Sequence, residues 1–201
     1  MKLLFVDTET TGVDPSKARM VELGALLVEI TIPDEAPAEL ILEHKLKYET
    51  LVHPEDFVIP PEAEAIHGIS EQACMRLGVP LTEALQQLSD MALDARPGKL
   101  IAHNLRYDLT VLTHEYKRID YGAYPLNHLF PFCTMQSMTP ICNLPGKYGK
   151  AKWPKLQEAY DHCYGKGTFA SHDGNAHRAM FDVGRTLDIY MHGLRKGWWS
   201  L

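Results

Sequence analysis

The chain has 201 residues, of which 45% are hydrophobic and 23% are charged, so we expect a single domain over residues 1–201 with a sizeable core. The formal net charge of −6 argues against a protein that coats nucleic acid by bulk attraction, because such binding depends on neutralising phosphates. No apolar run approaches the ~20 residues that span a bilayer, and the short strand-like start does not resemble a signal peptide, so we expect neither a membrane nor a secreted protein. The four cysteines contain no CxxC pair, which argues against a zinc ribbon. We therefore expect a cytoplasmic protein with reduced thiols.

The first half of the sequence predicts three strands followed by helices. Residues 2–10, 21–30 and roughly 40–52 are rich in Leu, Val and Ile and are separated by glycines and prolines. This pattern is typical of an antiparallel meander. Between Pro60 and Gly98 the apolar residues recur at helical spacing, which predicts helices in that segment.

The second half alternates strands and helices. The pattern predicts a buried strand over 99–103 and then a helix that passes through Asp108, Leu109, Leu112 and Tyr116. It also predicts a strand over 130–135, a helix over 155–164, and a last helix over 176–194 that follows a loose loop at 171–175. We therefore expect an α/β fold with a mixed sheet of about five strands, the first three antiparallel, flanked by α-helices.

Two carboxylates stand two residues apart at the end of the first apolar strand. Asp7 and Glu9 belong to the segment DTETTG, and the two-residue period of a strand places both on one face. Two acids in this arrangement can share a cation. An isolated pair is more often a solvated strand end, so its meaning depends on the rest of the sequence.

Two further acids lie near the starts of predicted helices. Asp108 follows a buried strand, in the region of an α/β sheet where ligands bind; alone, it would only complement the helix dipole. His177 precedes Asp182 by five residues. Five residues on a regular helix subtend about 140°, so we infer that Asp182 faces the site from the helix and that His177 lies at its start.

Together these segments resemble the exonuclease motifs of the DEDDh branch of the DnaQ-like family, which belongs to the RNase H-like superfamily. The likeness covers nearly the whole chain in the right order: DxETTG from Asp7, IHGI from Ile66, HNxxxD from His103 and HxAxxD from His177. Each motif alone is weak, but five required residue types in order argue against chance. The departures, Leu-Arg-Tyr before Asp108 and Val183 after Asp182, leave the proposed metal ligands untouched.

The resemblance implies a 3′→5′ exonuclease that releases nucleoside 5′-monophosphates from the 3′ end of single-stranded DNA. It implies two divalent ions, Mg²⁺ or Mn²⁺, held by Asp7, Glu9, Asp108 and Asp182. Hard oxygen ligands suit these ions, and the absence of clustered Cys and His argues against catalytic zinc. Two ions about 4 Å apart can activate water and stabilise the leaving oxygen.

The resemblance also assigns the proton acceptor and the substrate contacts. Histidine side chains titrate near neutral pH, and His177 takes the role of general base toward the attacking water. We expect the terminal nucleotide to contact Thr10, Thr11, His67 and Asn104.

Two alternatives remain open at this point. One is an RNA-trimming, oligoribonuclease-like enzyme, because nothing in these motifs reads the 2′-hydroxyl. The other is a polymerase-associated proofreading or binding module with weak chemistry; the chain ends about nineteen residues after Asp182, which argues against it. In each case the expected partner is nucleic acid with a free 3′ end, preferably single-stranded, and no membrane is involved; a polymerase or replication protein stays open as a further partner.

Residues 146–155, called the basic arm from here on, interleave basic and aromatic side chains. The arm contains Lys147, Tyr148, Lys150, Lys152, Trp153 and Lys155. Such a pattern can bind a single strand with bases stacked on the rings, and an ordinary solvated loop is an equal alternative. Two other clusters, Trp198–Trp199 and Cys142/His162/Cys163, are expected to pack against the core rather than to bind a partner or a metal.

Overall fold

The computed structural model describes residues 1–33, 40–122, 124–169 and 177–201. Five strands form one sheet: β1 (Lys2–Thr10), β2 (Met20–Thr31), β3 (Ile41–Leu51), β4 (Gly98–Ala102) and β5 (Phe130–Cys133). Their order is β3-β2-β1-β4-β5. The first three strands are antiparallel, whereas β4 runs parallel to β1 and β5 runs parallel to β4. The predicted α/β fold with a mixed five-stranded sheet is confirmed.

The described residues also form α-helices on both faces of this sheet. They are α1 (Pro61–His67), α2 (Glu71–Leu77), α3 (Leu81–Asp94), α4 (Leu105–Arg118), α5 (Thr134–Cys142), α6 (Leu156–Tyr164) and α7 (Ala179–Arg195). Among the residues with described positions, no helix is long and apolar enough to cross a membrane.

The strand β1 is apolar on both sides because helices cover both faces of the sheet. Leu4 and Val6 pack into the cluster that contains residues of α3 and α4. Leu3 and Phe5 point the other way and pack with residues of α7, including Tyr190. Each fully buried side chain of this size contributes about 1.5–3 kcal/mol. The strand therefore reads as a continuous apolar run up to Asp7.

The structure corrects two of the predicted elements. The fifth strand ends at Cys133 rather than at residue 135, and α5 follows directly although the sequence pattern did not predict it. Pro140 lies inside α5 and hides the helical pattern, while Met138 is fully buried and packs against α6 and α7. The last helix begins at Ala179; the predicted start at 176 and the loop at 171–175 lie outside the described residues.

The two clusters outside the catalytic motifs pack as expected. Trp199 contacts the core cluster beneath α7, and its indole Nε1–H donates to the carbonyl of Tyr190 at 3.0 Å. Cys142 and Cys163 pack beside Met138 in a third cluster, and both are free thiols. Neither group therefore needs a metal or a partner to explain its position.

The parallel pairing of β1 with β4 decides where the motif residues meet. The carboxyl ends of parallel strands lie at the same edge of a sheet, which is where α/β folds bind ligands. Asp7 and Glu9 stand near the end of β1, and α4 begins shortly after the end of β4. This edge is the place to look for a site.

Candidate active site

Three carboxylates converge at this edge of the sheet. One carboxylate oxygen from each of Asp7, Glu9 and Asp182 lies within 4.8 Å of the other two, and all three side chains are half-buried. Asp7 and Glu9 project from the same face of β1, and Asp182 comes from the first turn of α7. The first and last motifs of the sequence thus meet in space.

Asp108 lies next to these three carboxylates and is held by the strand that carries two of them. Its Oδ1 accepts hydrogen bonds from the backbone N–H of Thr8 at 3.1 Å and from the Thr8 hydroxyl at 2.9 Å. Asp108 sits in the first turn of α4 and is only 3% exposed. It is not one of the three residues whose oxygens lie within 4.8 Å of one another.

Burial and mutual repulsion make the charged form of these acids unfavourable. Burial, and then the charges of Asp108, Asp182 and Glu9, raise the pKa of Asp7 well above its usual range. Burial raises the pKa of Glu9 to about 8, with Asp182 adding to the effect. Burial also raises the pKa of Asp108 and of Asp182 to about 7, in each case against hydrogen bonds or a nearby arginine that lower it. The negative charges of these four acids are therefore not fully compensated by positive groups of the described residues.

We expect the metal-free protein to lose stability between pH 6.5 and 8. A carboxyl whose pKa is raised on folding, such as Glu9 at about 8, contributes stability that is full below its unfolded pKa and is lost as pH rises through the folded value. His103, whose pKa burial lowers to about 4, acts in the opposite sense below its unfolded pKa of 6.5, so the higher window isolates the carboxyls. Urea unfolding in excess chelator measures this fall.

Added Mg²⁺ should abolish the fall, because a cation that binds only the folded state stabilises it and removes the repulsion. A free energy of unfolding in chelator that stays level or rises from pH 6.5 to 8 would contradict the description of the cluster.

The donor set fits a divalent cation. Carboxylate oxygens are the ligands that Mg²⁺ and Mn²⁺ take in proteins. Oδ1 of Asp182 is buried and has no hydrogen-bond partner among the described residues. A buried polar atom without a partner costs free energy, and a bound cation would satisfy this atom while removing the repulsion between the acids.

Two residues of β2 hold the start of α7 against the sheet. Gly24 lies opposite Asp7 in the β1–β2 ladder, and a Cβ added there would come within 2.7 Å of the backbone carbonyl carbon of Ala179. Glu22, which is fully buried, accepts hydrogen bonds from Arg178 Nε at 2.9 Å and from the Ala179 N–H at 2.8 Å. This close approach helps to bring Asp182 to the strand that carries Asp7.

Sequence reasoning missed the contribution of Glu22. A charged residue within the apolar strand Met20–Thr31 is a signal that could have marked it, because buried charges are paired when they occur at all. Its partner Arg178 lies 156 positions further along the chain, and no local pattern connects the two.

His177 lies just before α7, as the five-residue spacing from Asp182 suggested. Its side chain is exposed, and its backbone adopts the left-handed conformation with φ of 63°. A non-glycine residue in this region is uncommon. His177 precedes Arg178, whose guanidinium is paired with Glu22. His177 therefore lies next to the residue that holds the start of α7 on the sheet, and it is not a member of the carboxylate cluster.

The four predicted substrate contacts line one cavity of about 690 Å³ beside the carboxylates. Thr10, Thr11, His67 and Asn104 all border it, and Glu9 forms part of its wall. The apolar side chain of Ile66, which is 58% exposed, also borders it. The cavity therefore combines polar groups, one acid and an apolar face that a base or sugar can contact.

Hydrogen bonds fix two walls of this cavity. The hydroxyls of Thr10 and Tyr107 lie 2.5 Å apart, and the Tyr107 hydroxyl donates to the carbonyl of Gly12. His67 Nδ1 accepts from the Ile69 N–H at 3.0 Å, whereas its buried Nε2 has no partner among the described residues. Because Nδ1 accepts, Nε2 carries the proton. Tyr107 was not among the predicted contacts.

The sequence of this chain is similar to those of known exonucleases. The family model described as exonuclease, that of RNase T, matches residues 4–190. An uncharacterised exonuclease of Escherichia phage 186 is 32% identical over 198 residues, which is 96% of this chain and 88% of the relative. A ribonuclease T of Shewanella denitrificans is 24% identical over 212 residues, covering 98% of this chain and 84% of the relative.

Solved structures of Escherichia coli exonuclease I share the fold. The complex with a dT13 oligonucleotide superposes with a TM-score of 0.72 at 21% identity, over 98% of this chain and 42% of that one. A zinc-bound complex of the same enzyme with single-stranded DNA gives a TM-score of 0.70 at 21% identity, over 97% of this chain and 40% of that one. This chain thus spans about two fifths of the length of those chains.

Proposed function

The chain belongs to the RNase T family of exonucleases, within the DnaQ-like group of RNase H-like proteins, and from this premise we propose that it is a 3′→5′ exonuclease of the DEDDh type acting on single-stranded DNA. We treat residues 1–201 as one catalytic domain. The observation that carries the proposal is the convergence of Asp7, Glu9 and Asp182 within 4.8 Å, beside a cavity large enough for a nucleotide.

We assign the binding of two divalent cations, Mg²⁺ or Mn²⁺, to Asp7, Glu9, Asp108 and Asp182. When bound, such ions activate water and stabilise the charge that develops on the leaving oxygen of a phosphodiester. The chain's own contribution is to hold the four carboxyls in place, and no lysine or arginine among the described residues forms an ion pair with them. Thr8 holds Asp108 from the strand, and Glu22 holds the helix that carries Asp182.

We assign the general base to His177. The attacking water must lose a proton, and a positioned imidazole can accept it near neutral pH. The exposed position of His177 leaves its ring free to turn toward a bound substrate. Catalytic hydrogen bonds are often long in proteins without substrate and form only in the complex, so the distance between His177 and the acids does not count against the role.

We assign the cavity between β1 and α1 to the terminal nucleotide. The side chains of His67 and Asn104 offer polar contacts, and the exposed face of Ile66 offers an apolar contact to a base. These groups bind and orient the 3′ end so that its last phosphodiester reaches the carboxylates. None of them distinguishes one base from another, which suits an enzyme that removes successive nucleotides.

DNA is the preferred substrate in this proposal, and RNA trimming is the second candidate. The related ribonuclease T supports the second candidate by its name, whereas the exonuclease I complexes contain DNA oligonucleotides. Parallel digestion of DNA and RNA oligonucleotides of the same sequence separates the two. Faster turnover of RNA would replace the DNA assignment and leave the cleavage chemistry unchanged.

We expect cleavage to begin only at a free 3′ hydroxyl. A 3′-phosphate should slow digestion of linear single-stranded DNA strongly, because it places extra negative charge next to Glu9 and the other carboxylates. Covalently closed single-stranded circles should survive under conditions that digest the linear form completely. A 5′-phosphate is the matched control and should have little effect. Efficient degradation of circles would identify an endonuclease instead.

A further inference from the structure

The basic arm stands out from the rest of the chain by its charge. The protein carries a net charge of −6, yet residues 121–157 contain no Asp or Glu, and the four lysines of this segment all belong to the arm. Lys152 pairs with Glu158 at 2.6 Å. Among the described residues, Lys147 and Lys150 form no ion pair, and both side chains are exposed. The arm thus presents uncompensated positive charge.

Two aromatic rings of the arm also face solvent. Tyr148 is 97% exposed and Trp153 is 60% exposed, and neither ring packs against another aromatic ring in the described part of the chain. An exposed tryptophan between lysines contributes nothing to the core. Exposed rings next to uncompensated lysines are the combination that binds single strands, because every base can stack on a ring while lysines neutralise phosphates.

The arm is an ordered structure rather than a loose loop. Its backbone closes a small hairpin, in which the Gly146 N–H donates to the carbonyl of Lys150 at 3.0 Å, and Pro145 pairs antiparallel with Ala151. At its far end, Glu158 in the first turn of α6 accepts from the Lys155 N–H at 2.8 Å. The backbone that carries Tyr148 and Trp153 is therefore ordered before any ligand binds, which lowers the entropic cost of binding.

A buried histidine connects the arm to the catalytic edge of the sheet. His103 follows β4 directly, and its Nε2 lies 3.0 Å from the carbonyl oxygen of Pro154, which is itself buried. Since a carbonyl can only accept, Nε2 carries the proton and donates. The next residue, Asn104, borders the cavity beside the carboxylates. Adjacent residues at the end of one strand thus contact the arm and the cavity.

We propose that the basic arm is a binding site for the single-stranded nucleic acid that lies 5′ of the terminal nucleotide. The lysines contact phosphates and the two rings stack on bases outside the catalytic cavity. This proposal deepens the proposed function and rests on it for the direction of the strand. An acidic enzyme gains from such a site, because its carboxylate cluster alone does not attract a polyanion.

Binding, rather than turnover, tests the arm. The probe is a 5′-fluorescein-labelled oligo-dT of about 16 nucleotides, titrated in excess chelator at several salt concentrations and read by fluorescence anisotropy. Each phosphate contact made by a lysine to a single strand contributes about 0.7 to the slope of log K against log salt. Lys147→Ala/Lys150→Ala should therefore lower the slope by about 1.4, which a change in fold alone would not do.

The control is a pair of lysines at the opposite edge. Lys117 is exposed in the last turn of α4 and Lys196 is exposed just after α7. Both helices begin at the catalytic edge, and a 14-residue helix such as α4 is about 20 Å long. Lys117→Ala/Lys196→Ala removes the same charge and should leave the slope nearly unchanged. Equal slopes for the two double variants would overturn the proposal.

The role of the two aromatic residues is tested with DNA substrates of different length and with single-stranded and duplex DNA. Tyr148→Ala/Trp153→Ala should weaken oligo-dT binding by about 30-fold or more, because loss of one base stack weakens binding by about 5-fold or more and this variant removes two rings. It should also lower the ratio of kcat/KM on a 16-mer to that on a dinucleotide. Duplex DNA that binds as tightly as oligo-dT, with the same loss in the variant, would contradict a single-strand site. If the wild type binds oligo-dT with the predicted salt dependence but does not cleave it, the proposed exonuclease function is refuted and the binding site on the basic arm is not.

Discussion

Replacing Asp182 by Asn is expected to lower kcat by roughly 10³-fold or more, because one neutral ligand in place of an acid weakens a cation site whose electrostatic contribution amounts to several kcal/mol. Asp7→Ala should have a comparable effect. Chelation of Mg²⁺ and Mn²⁺ should abolish turnover of the wild type. The reason lies in the geometry, since the oxygens of Asp7, Glu9 and Asp182 lie within 4.8 Å of one another and share any bound ion.

Folding of these variants should be intact and slightly improved without metal. Removing one of four crowded acids relieves the repulsion that raises the pKa of Asp7, so the Tm of metal-free Asp182→Asn should exceed that of the wild type. Asp188→Asn is the matched control on the same helix, because the Asp188 carboxylate contacts Arg185 at 3.3 Å and lies outside the cluster. Turnover by Asp7→Ala at the wild-type rate, or by the wild type in excess chelator, would refute the cation site.

His177→Ala is expected to lower kcat by about 10²–10⁴-fold while the affinity for Mg²⁺ changes little, since a general base contributes a factor of this size and the carboxylate set stays complete. In the wild type, kcat should fall as the pH drops through the range in which imidazoles titrate, about pH 6–7. In the variant this acid limb should flatten or move.

Comparing the pH profiles of the wild type and His177→Ala identifies the group that causes the acid limb. Burial raises the pKa of Asp108 and of Asp182 to about 7, so the carboxyls can titrate in the same range and the wild-type profile alone does not identify the base. His128→Ala is a suitable control, because this exposed histidine precedes the amino end of β5 and thus lies toward the opposite edge of the sheet. Near-normal kcat for His177→Ala at saturating Mg²⁺, or an unchanged acid limb, would remove His177 from the mechanism.

Local periodicity was sufficient to predict most of the fold. The strands β1 and β2 are apolar runs bounded by turn residues, and α3, α4 and α7 bury residues at helical spacing. The helix α5 was missed because Pro140 interrupts it and because its stability comes from burial of Met138 against α6 and α7. Tertiary packing of this kind leaves no local pattern to detect.

The candidate site could be predicted only in part, for the same physical reason. The two-residue spacing of Asp7 and Glu9 defines a shared strand face, and this follows from local geometry. By contrast, the contact between Thr8 and Asp108 joins residues 100 positions apart. The close approach of α7 at Gly24 depends on how two distant elements pack. Contacts that position a side chain through another element require the three-dimensional structure.

Time-resolved digestion of a 5′-labelled, linear single-stranded DNA tests the central claim most directly. With Mg²⁺ present, the label should pass through a ladder of progressively shorter products while unlabelled mononucleotides accumulate, and excess chelator should stop the reaction. Immediate release of the label as a mononucleotide would show the opposite polarity. Internal fragments from the first time point, or an unchanged ladder in chelator, would contradict a metal-dependent 3′→5′ exonuclease.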